Sequence, residues 1–467
     1  MVEPLRLRPG KRSARTLAAE PPRGGRAASV GTAVSSDDSA VRRAPWLAFN
    51  ATALPAPHAD SAPGFGPNRF LLGANLPWIR YGLDFGCSMA TPQGGLHADA
   101  AAVGLLDAAM ARLRRDGVEH ARVFLFCDGR AGVRFAADGT PEGLDSAVFR
   151  DIDVLLAVAE SHRLGLLLVL FDAGLVAAPS VQDGVGCGGH GDVLAVPAKR
   201  EALLEHVVEP LLQRYHSHPA IDGWDLFDEP ECATLGMQCP HPPRSPGAKR
   251  WGQLTGTLAA GLRSLGLGGS CPPVPALVDP SAMRSFLGAA AQAVHRHTHA
   301  LATVGLASTA NLSLVQGLGL DFYQAHWWEP YGDAALRRAA ADFGLDRPLV
   351  LGAFPAMTAS KSVKTVLDTA RCAGYGGALV WSVREVDARG REDGQLAQWA
   401  RNHTAHLYRR PSRLAAEVPP PRPAEPLARE EVPEALTRRT APLEEGAPSR
   451  AEGEVDVEAP GFAAAPA

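Results

Sequence analysis

A barrel of eight parallel strands, each followed by a helix, is the fold class this sequence predicts, and three observations predict it. Between Phe70 and Val383 eight apolar runs recur, each about the length of a strand. Longer amphipathic stretches separate them, so strand and helix patterns alternate, which calls for a parallel sheet covered by helices. Polar, charged and indole side chains then collect at the C-terminal ends of the runs, where a (β/α)8 barrel carries its chemistry. The alternative, an open doubly wound sheet, would place a glycine-rich phosphate turn after the first strand, and none is present there.

The runs justify themselves in order. Residues 70–78 (FLLGANLPW) bring Asn75 and Trp78, and residues 121–126 (ARVFLF) point Arg122 inward with Asp128 at the exit. Residues 165–171 (GLLLVLF) end at Asp172, and residues 221–227 (IDGWDLF) end in Asp228, Glu229 and Pro230. Residues 300–306 (ALATVGL) precede residues 320–328 (LDFYQAHWW), which present His326, Trp327 and Trp328 with Glu329 next. Residues 348–354 (PLVLGAF) carry Ala353, and residues 377–383 (GALVWSV) carry Trp381 ahead of Glu385. These runs are rich in β-branched and aromatic residues, as strands buried on both faces require. Between them Val103, Leu106, Met110 and Leu113 recur at helical spacing, as do Leu204, Val207, Val208 and Leu211, and Val363, Val366, Leu367 and Ala370.

The chain has 467 residues and a formal charge of −4, which gives no electrostatic basis for binding nucleic acid. Residues 1–62, basic and rich in Pro, Ala and Arg, and residues 411–467, rich in Pro, Glu and Ala, have no apolar period and are expected to be disordered. The barrel is expected over 63–410 as a monomer, with a rim insertion at 231–275. No apolar run is long enough to span a membrane. No secretory leader is visible, which leaves localisation open: cytoplasmic by default, extracellular if the start lies elsewhere. Seven cysteines without metal spacing read as free thiols, with disulfides among the loop cysteines as the alternative.

A carboxylate at the end of a buried strand, followed by a proline that cannot continue the ladder, is costly unless it serves a site. Glu229 is therefore the candidate catalytic residue. Carboxylates, a guanidinium, an imidazole and indoles gathered in one mouth suit a sugar, whose apolar ring face stacks on indole. His295, His297 and His299 look like a metal motif, but only two share a helical face, so no metal is assigned and no cofactor is expected. The glycine-rich stretch near 184–194, with His190 and Asp192, lacks the lysine and hydroxyl of a phosphate loop and reads as rim.

The motifs RVFLF, WDLFDEP, AHWWEP, LVLGAFPA and GALVWS resemble, in order, the strand ends of clan-A glycoside hydrolases of the family 5 type, the cellulases and mannanases. The resemblance spans Phe70 to about Trp399. It implies that Glu229 is the general acid/base, and that Asn75, Arg122, Asp228, His326, Trp327, Trp328 and Trp381 line a site for a β-linked oligo- or polysaccharide. Three positions depart. The family's Asn before the acid/base is Asp228, its strand-six Tyr is Trp328, and its strand-seven nucleophile, a Glu, is Ala353. Hydrolysis by a covalent glycosyl-enzyme is thus expected to be lost or impaired. Two alternatives stay open: an active glycosidase using another carboxylate, such as Glu329 or Glu385, and an inert scaffold whose tails make the contacts.

Overall fold

The computed structural model describes residues 64–66, 68–182, 184–239, 277–384 and 394–410. Most of the insertion expected at 231–275, both expected tails, Cys271 and Glu385 lie outside the described residues. The chain divides at Arg410, and the barrel lies in the first unit. Eight parallel strands close on themselves: β1 (Leu71–Asn75), β2 (His120–Phe124), β3 (Gly165–Val169), β4 (Ile221–Asp228), β5 (Leu301–Leu306), β6 (Tyr323–His326), β7 (Leu349–Pro355) and β8 (Gly377–Trp381). Closure is made by β1 pairing with β8, Leu71 opposite Gly377 through Asn75 opposite Trp381. The fold is the (β/α)8 barrel that the alternation predicts.

The helices form where apolar spacing and caps coincide. Ala100–Arg115 starts at Asp99, whose carboxylate accepts from the Ala101 and Ala102 amides, and buries Leu106, Met110 and Leu113. Pro280–His297 starts with proline at its first position behind the Asp279 cap, and Val363–Cys372 starts at the Ser362 cap. Between Pro197 and Arg214 the helix includes a π-helical turn over Leu204–Val208. Pro210 has no N–H to continue the α ladder there. One expectation fails: β5 is followed not by an α-helix but by the short 3-10 segment Thr309–Leu314. Its residues TANLSL offer a Ser308 cap but too few apolar positions for a longer face. Among the described residues no helix is long and apolar enough to cross a membrane.

Inside the barrel three layers stack. At the N-terminal end Leu167, Val350 and Leu379 pack with Phe65 and Phe322. At the C-terminal end Phe124, Val169, Ala353, Trp328 and Trp381 form a second apolar cluster. Between them lies a fully buried polar layer of Asn75, Arg122, Asp225, Thr303 and Gln324. Glycine is needed beside that layer. A Cβ on Gly305 would stand 2.6 Å from Arg122 Nη2, and one on Gly352 would stand 2.8 Å from Gln324 Oε1.

Cys232 and Cys239 are joined in a disulfide, so the free-thiol reading fails for this pair. The turn that follows β4 folds the chain back and brings their Cα atoms to 4.6 Å, within bridging reach. Cys87, Cys127, Cys187 and Cys372 are free.

Gly305→Ala is expected to cost about 2 kcal/mol or more, because the methyl must displace a guanidinium that is held on several sides. Chemical denaturation of the two proteins measures it; equal midpoints would contradict the close approach.

Candidate functional site

The site is built on the polar layer. Arg122 is 0% exposed, and its Nε and Nη2 donate to Asp225 Oδ2 at 2.9 and 2.7 Å. Nη2 also donates to Asp228 Oδ1 at 2.7 Å, and Nη1 donates to Asn75 Oδ1 at 3.3 Å. Asp225 is completed by Gln324 Nε2 at 2.9 Å and by the Gly305 amide at 3.0 Å. Asn75 is committed as well, with its amide donating to the Gly352 carbonyl at 3.1 Å. Asn75 and Arg122 therefore act from beneath the mouth rather than as its surface. Burial disfavours the Arg122 cation, yet Asp225 and Asp228 outweigh it and hold the guanidinium more basic than usual.

Above that layer the exits of β4, β6 and β7 are irregular in register, between Asp225 and Asp228, at Ala325/His326, and between Leu351 and Phe354. Such irregularities re-aim side chains at strand ends. Here they serve Asp228, Glu229, His326 and Ala353. Glu229 adopts a left-handed conformation (φ 54°, ψ 49°), uncommon for a residue with a side chain. Its amide donates to the Gly305 carbonyl at 2.6 Å, and its Oε1 lies 3.0 Å from His326 Nδ1. His326 Nε2 lies 3.6 Å from Asp228 Oδ1, so one imidazole spans both acids. Asp228 and Glu229 each keep 13% of their side chains exposed.

The opposite side of the mouth is aromatic. Trp381 meets Trp328, Trp78 and Phe124 edge to face at centroid distances of 6.3, 5.8 and 6.1 Å. Ala353 is buried at 0% exposure among Phe124, Val169, Trp328 and Trp381, so its methyl faces apolar side chains. Strand-end residues Asn75, Arg122, Asp228, Glu229, His326, Trp328, Ala353 and Trp381 thus converge.

Trp327 does not join them. It packs into the main core between barrel and helices, and its indole donates to the Gly332 carbonyl at 3.1 Å, because adjacent residues at a strand exit point to opposite sides. Glu329 is likewise unsuited as a second carboxylate: it accepts from the Ala359 and Ser360 amides and the Ser360 hydroxyl, which ties down the loop after β7. His190 stacks on Phe135, and Asp192 pairs with Lys199. His295 lies 2.8 Å from Asp321, and His297 approaches Glu209, so these imidazoles are taken up by separate carboxylates away from the mouth.

Several residues of the site carry no local signal in the sequence. Asp225 sits in the middle of a run that reads as apolar, and Gln324 likewise. Tyr81 lies in the loop after β1, where Asp84 gathers the Ile79 and Arg80 amides and shapes the turn between Trp78 and Tyr81. The Tyr81 hydroxyl donates to Asp172 Oδ2 at 2.8 Å, and the Arg130 guanidinium, paired to Asp128, lies 4.7 Å from the centre of its ring. Burial, with Asp128 adding repulsion, pushes Asp172 up to about 7. Burial, with the charge of Glu229 adding, pushes Glu231 up to about 8. Asp228 is raised by burial and opposed chiefly by Arg122.

With this geometry in place, the chain is a closed parallel barrel that resembles those of clan-A glycoside hydrolases of the family 5 type. No family model matches it. The chain is 22% identical over 350 residues to a mannan endo-1,4-beta-mannosidase of Mytilus edulis, covering 69% of this chain and 85% of that protein. It is 25% identical over 345 residues to a mannan endo-1,4-beta-mannosidase of Cryptopygus antarcticus, covering 68% and 81%. The crystal structure of an endo-1,4-beta-mannanase from Eisenia fetida matches the fold with a TM-score of 0.53 at 21% identity, covering 72% of this chain and 91% of that one.

The raised carboxyls make stability depend on pH. Asp172 and Glu231 bind protons more tightly folded than unfolded, so their contribution is fully present below about pH 4 and is lost as pH rises to about 7 and about 8 respectively. Each changes stability by at most about 1.4 kcal/mol per pH unit inside its window. Melting temperatures between pH 4 and 9 should therefore fall more steeply in the parent than in Glu231→Gln; parallel curves would contradict the buried acid.

Proposed function

We propose that this barrel binds a β-1,4-linked hexose chain of the mannan type and does not hydrolyse it by double displacement. Ala353 carries the reading. A retaining glycosidase needs a second carboxylate about 5–5.5 Å from the acid to form the glycosyl-enzyme. A methyl group at the end of β7 supplies neither nucleophile nor charge. Glu229, His326 and the indoles remain, which supports recognition of a sugar chain. The names of the two relatives supply the polymer class.

A second reading, inverting hydrolysis through a water, is favoured by one observation. Asp172 is partly exposed and lies beside Asp228 at the neighbouring strand exit, with its carboxyl held near neutrality. Carboxyl groups about 6.5–9.5 Å apart would leave room for that water.

Calorimetry with β-1,4-mannohexaose is expected to show saturable binding, and incubation with mannan is expected to release no reducing sugar. Trp381→Ala should weaken binding roughly tenfold, the loss of about 1.5 kcal/mol of aromatic contact. Azide should not rescue cleavage of an aryl mannoside, because the side chains around Ala353 leave its methyl no exposed surface. Reducing sugar released by the parent and abolished in both Glu229→Gln and Asp172→Asn would establish the inverting reading instead. Absence of binding to any mannan or glucan oligomer would sink the proposal.

A further inference from the structure

Behind Glu229 the chain is fastened more firmly than a surface loop requires. Pro230 opens the short turn Pro230–Ala233, and Thr234 Oγ1 donates back to the Pro230 carbonyl at 2.7 Å. Cys232 is bridged to Cys239, and Asn311 Nδ2 donates to the Gln238 carbonyl at 2.8 Å. At the centre of these ties is Glu231, 1% exposed. Its Oε1 accepts from the Ser308 amide at 3.2 Å and from Asn311 Nδ2 at 3.3 Å, both on the segment after β5. Its Oε2 is buried without a hydrogen-bond partner.

The surroundings of Glu231 are acidic. Glu229 faces it from its own turn, and Asp172 heads the short helix Ala173–Val176 that packs on that turn. Among the described residues no cation pairs with Glu231. A buried carboxylate with one oxygen unpartnered and acids for neighbours is unstable, whereas the neutral acid loses little there. Burial, with Glu229 adding, accordingly keeps the proton on up to about pH 8. Glu229 meanwhile holds a left-handed backbone, which a residue with a side chain keeps only when its surroundings over-determine it. The Gly305 carbonyl holds its amide from one side, and its own carbonyl accepts from the Cys232 amide at 3.0 Å on the other.

We propose that Glu231 is a positioning residue for Glu229: it clamps the turn after β4 to the segment after β5 and so holds the Glu229 carboxyl against His326. The inference rests on reading Glu229 as the working acid of the mouth. Loss of the Glu231 proton would leave its two accepted hydrogen bonds in place but set a second anion beside Glu229, and that repulsion would move the Glu229 carboxyl from its place against His326.

The test uses the full chain with isotopically labelled histidine. The His326 ring signal, identified by its disappearance in His326→Asn, reports the contact to Glu229, and affinity for β-1,4-mannohexaose reports the mouth. In the parent, both should change as pH rises through about 8, with affinity falling about tenfold. Glu231→Gln, which preserves a neutral group of the same shape, should keep the low-pH signal and affinity up to pH 9.5. Glu231→Ala should show the displaced signal at every pH; should it fail to fold, Asn311→Ala removes the partner of the clamp and is read in its place. A parent signal unmoved across pH 8, or Glu231→Gln as disturbed as Glu231→Ala, would overturn the proposal. If no variant binds mannohexaose, the carbohydrate reading falls, and the His326 signal still decides this one.

Discussion

Everything at the mouth of this barrel depends on one buried cation. Arg122 enters from β2 into an interior that offers it no water, where an uncompensated charge would cost several kcal/mol. Asp225 and Asp228 from β4 supply the compensation, Asn75 takes a further N–H, and Gln324 from β6 completes Asp225. One guanidinium therefore fixes the relative heights of four strands. Removing either partner would leave a charge stranded below the mouth, which makes the layer a constraint on register as much as a source of stability.

That constraint divides the mouth into unequal halves. On the side of β3 and β4, Asp172, Asp228 and Glu229 crowd together, with Arg122 beneath Asp228 and His326 beside Asp228 and Glu229. On the side of β6 to β8 the indoles exclude water and charge alike. A carboxylate at residue 353 would project into apolar surroundings from a mouth already rich in acid, with Arg122 committed elsewhere. Asp228 and Ala353 thus belong together physically: acidic side chains stand at the end of β4, and an apolar one stands at the end of β7.

The barrel was legible because its signal is repeated eight times, and each strand run is bounded by polar exits. Glu229, His326 and Trp381 were legible for a related reason, since a polar or indole residue where an apolar strand stops is conspicuous. Trp327 was misread because runs of adjacent aromatics do not declare which face each one takes. Asp225, Gln324 and Glu231 were invisible for the opposite reason. Each is a polar residue buried by partners distant in sequence, Arg122 for the first, Asp225 and Thr303 for the second, Asn311 for the third. Local pattern carries no trace of such pairings. The Cys232–Cys239 bridge was hidden similarly, because seven residues of separation say nothing until a turn closes them.

Placement of the two acids at the end of β4 differs in kind. Asp228 is held from below by a permanent cation, so its position is insensitive to changes above it. Glu229, one residue on, stands past the end of β4 in a left-handed backbone, held by the Gly305 carbonyl, one imidazole and the turn behind it. Glu229 is the one the loop after β4 reaches directly, since the Cys232 amide in that turn donates to its carbonyl while Gly305 and His326 hold it from the barrel wall. One acid at the end of β4 is thus a fixed point of the mouth, and the other shares its restraints with the turn that follows.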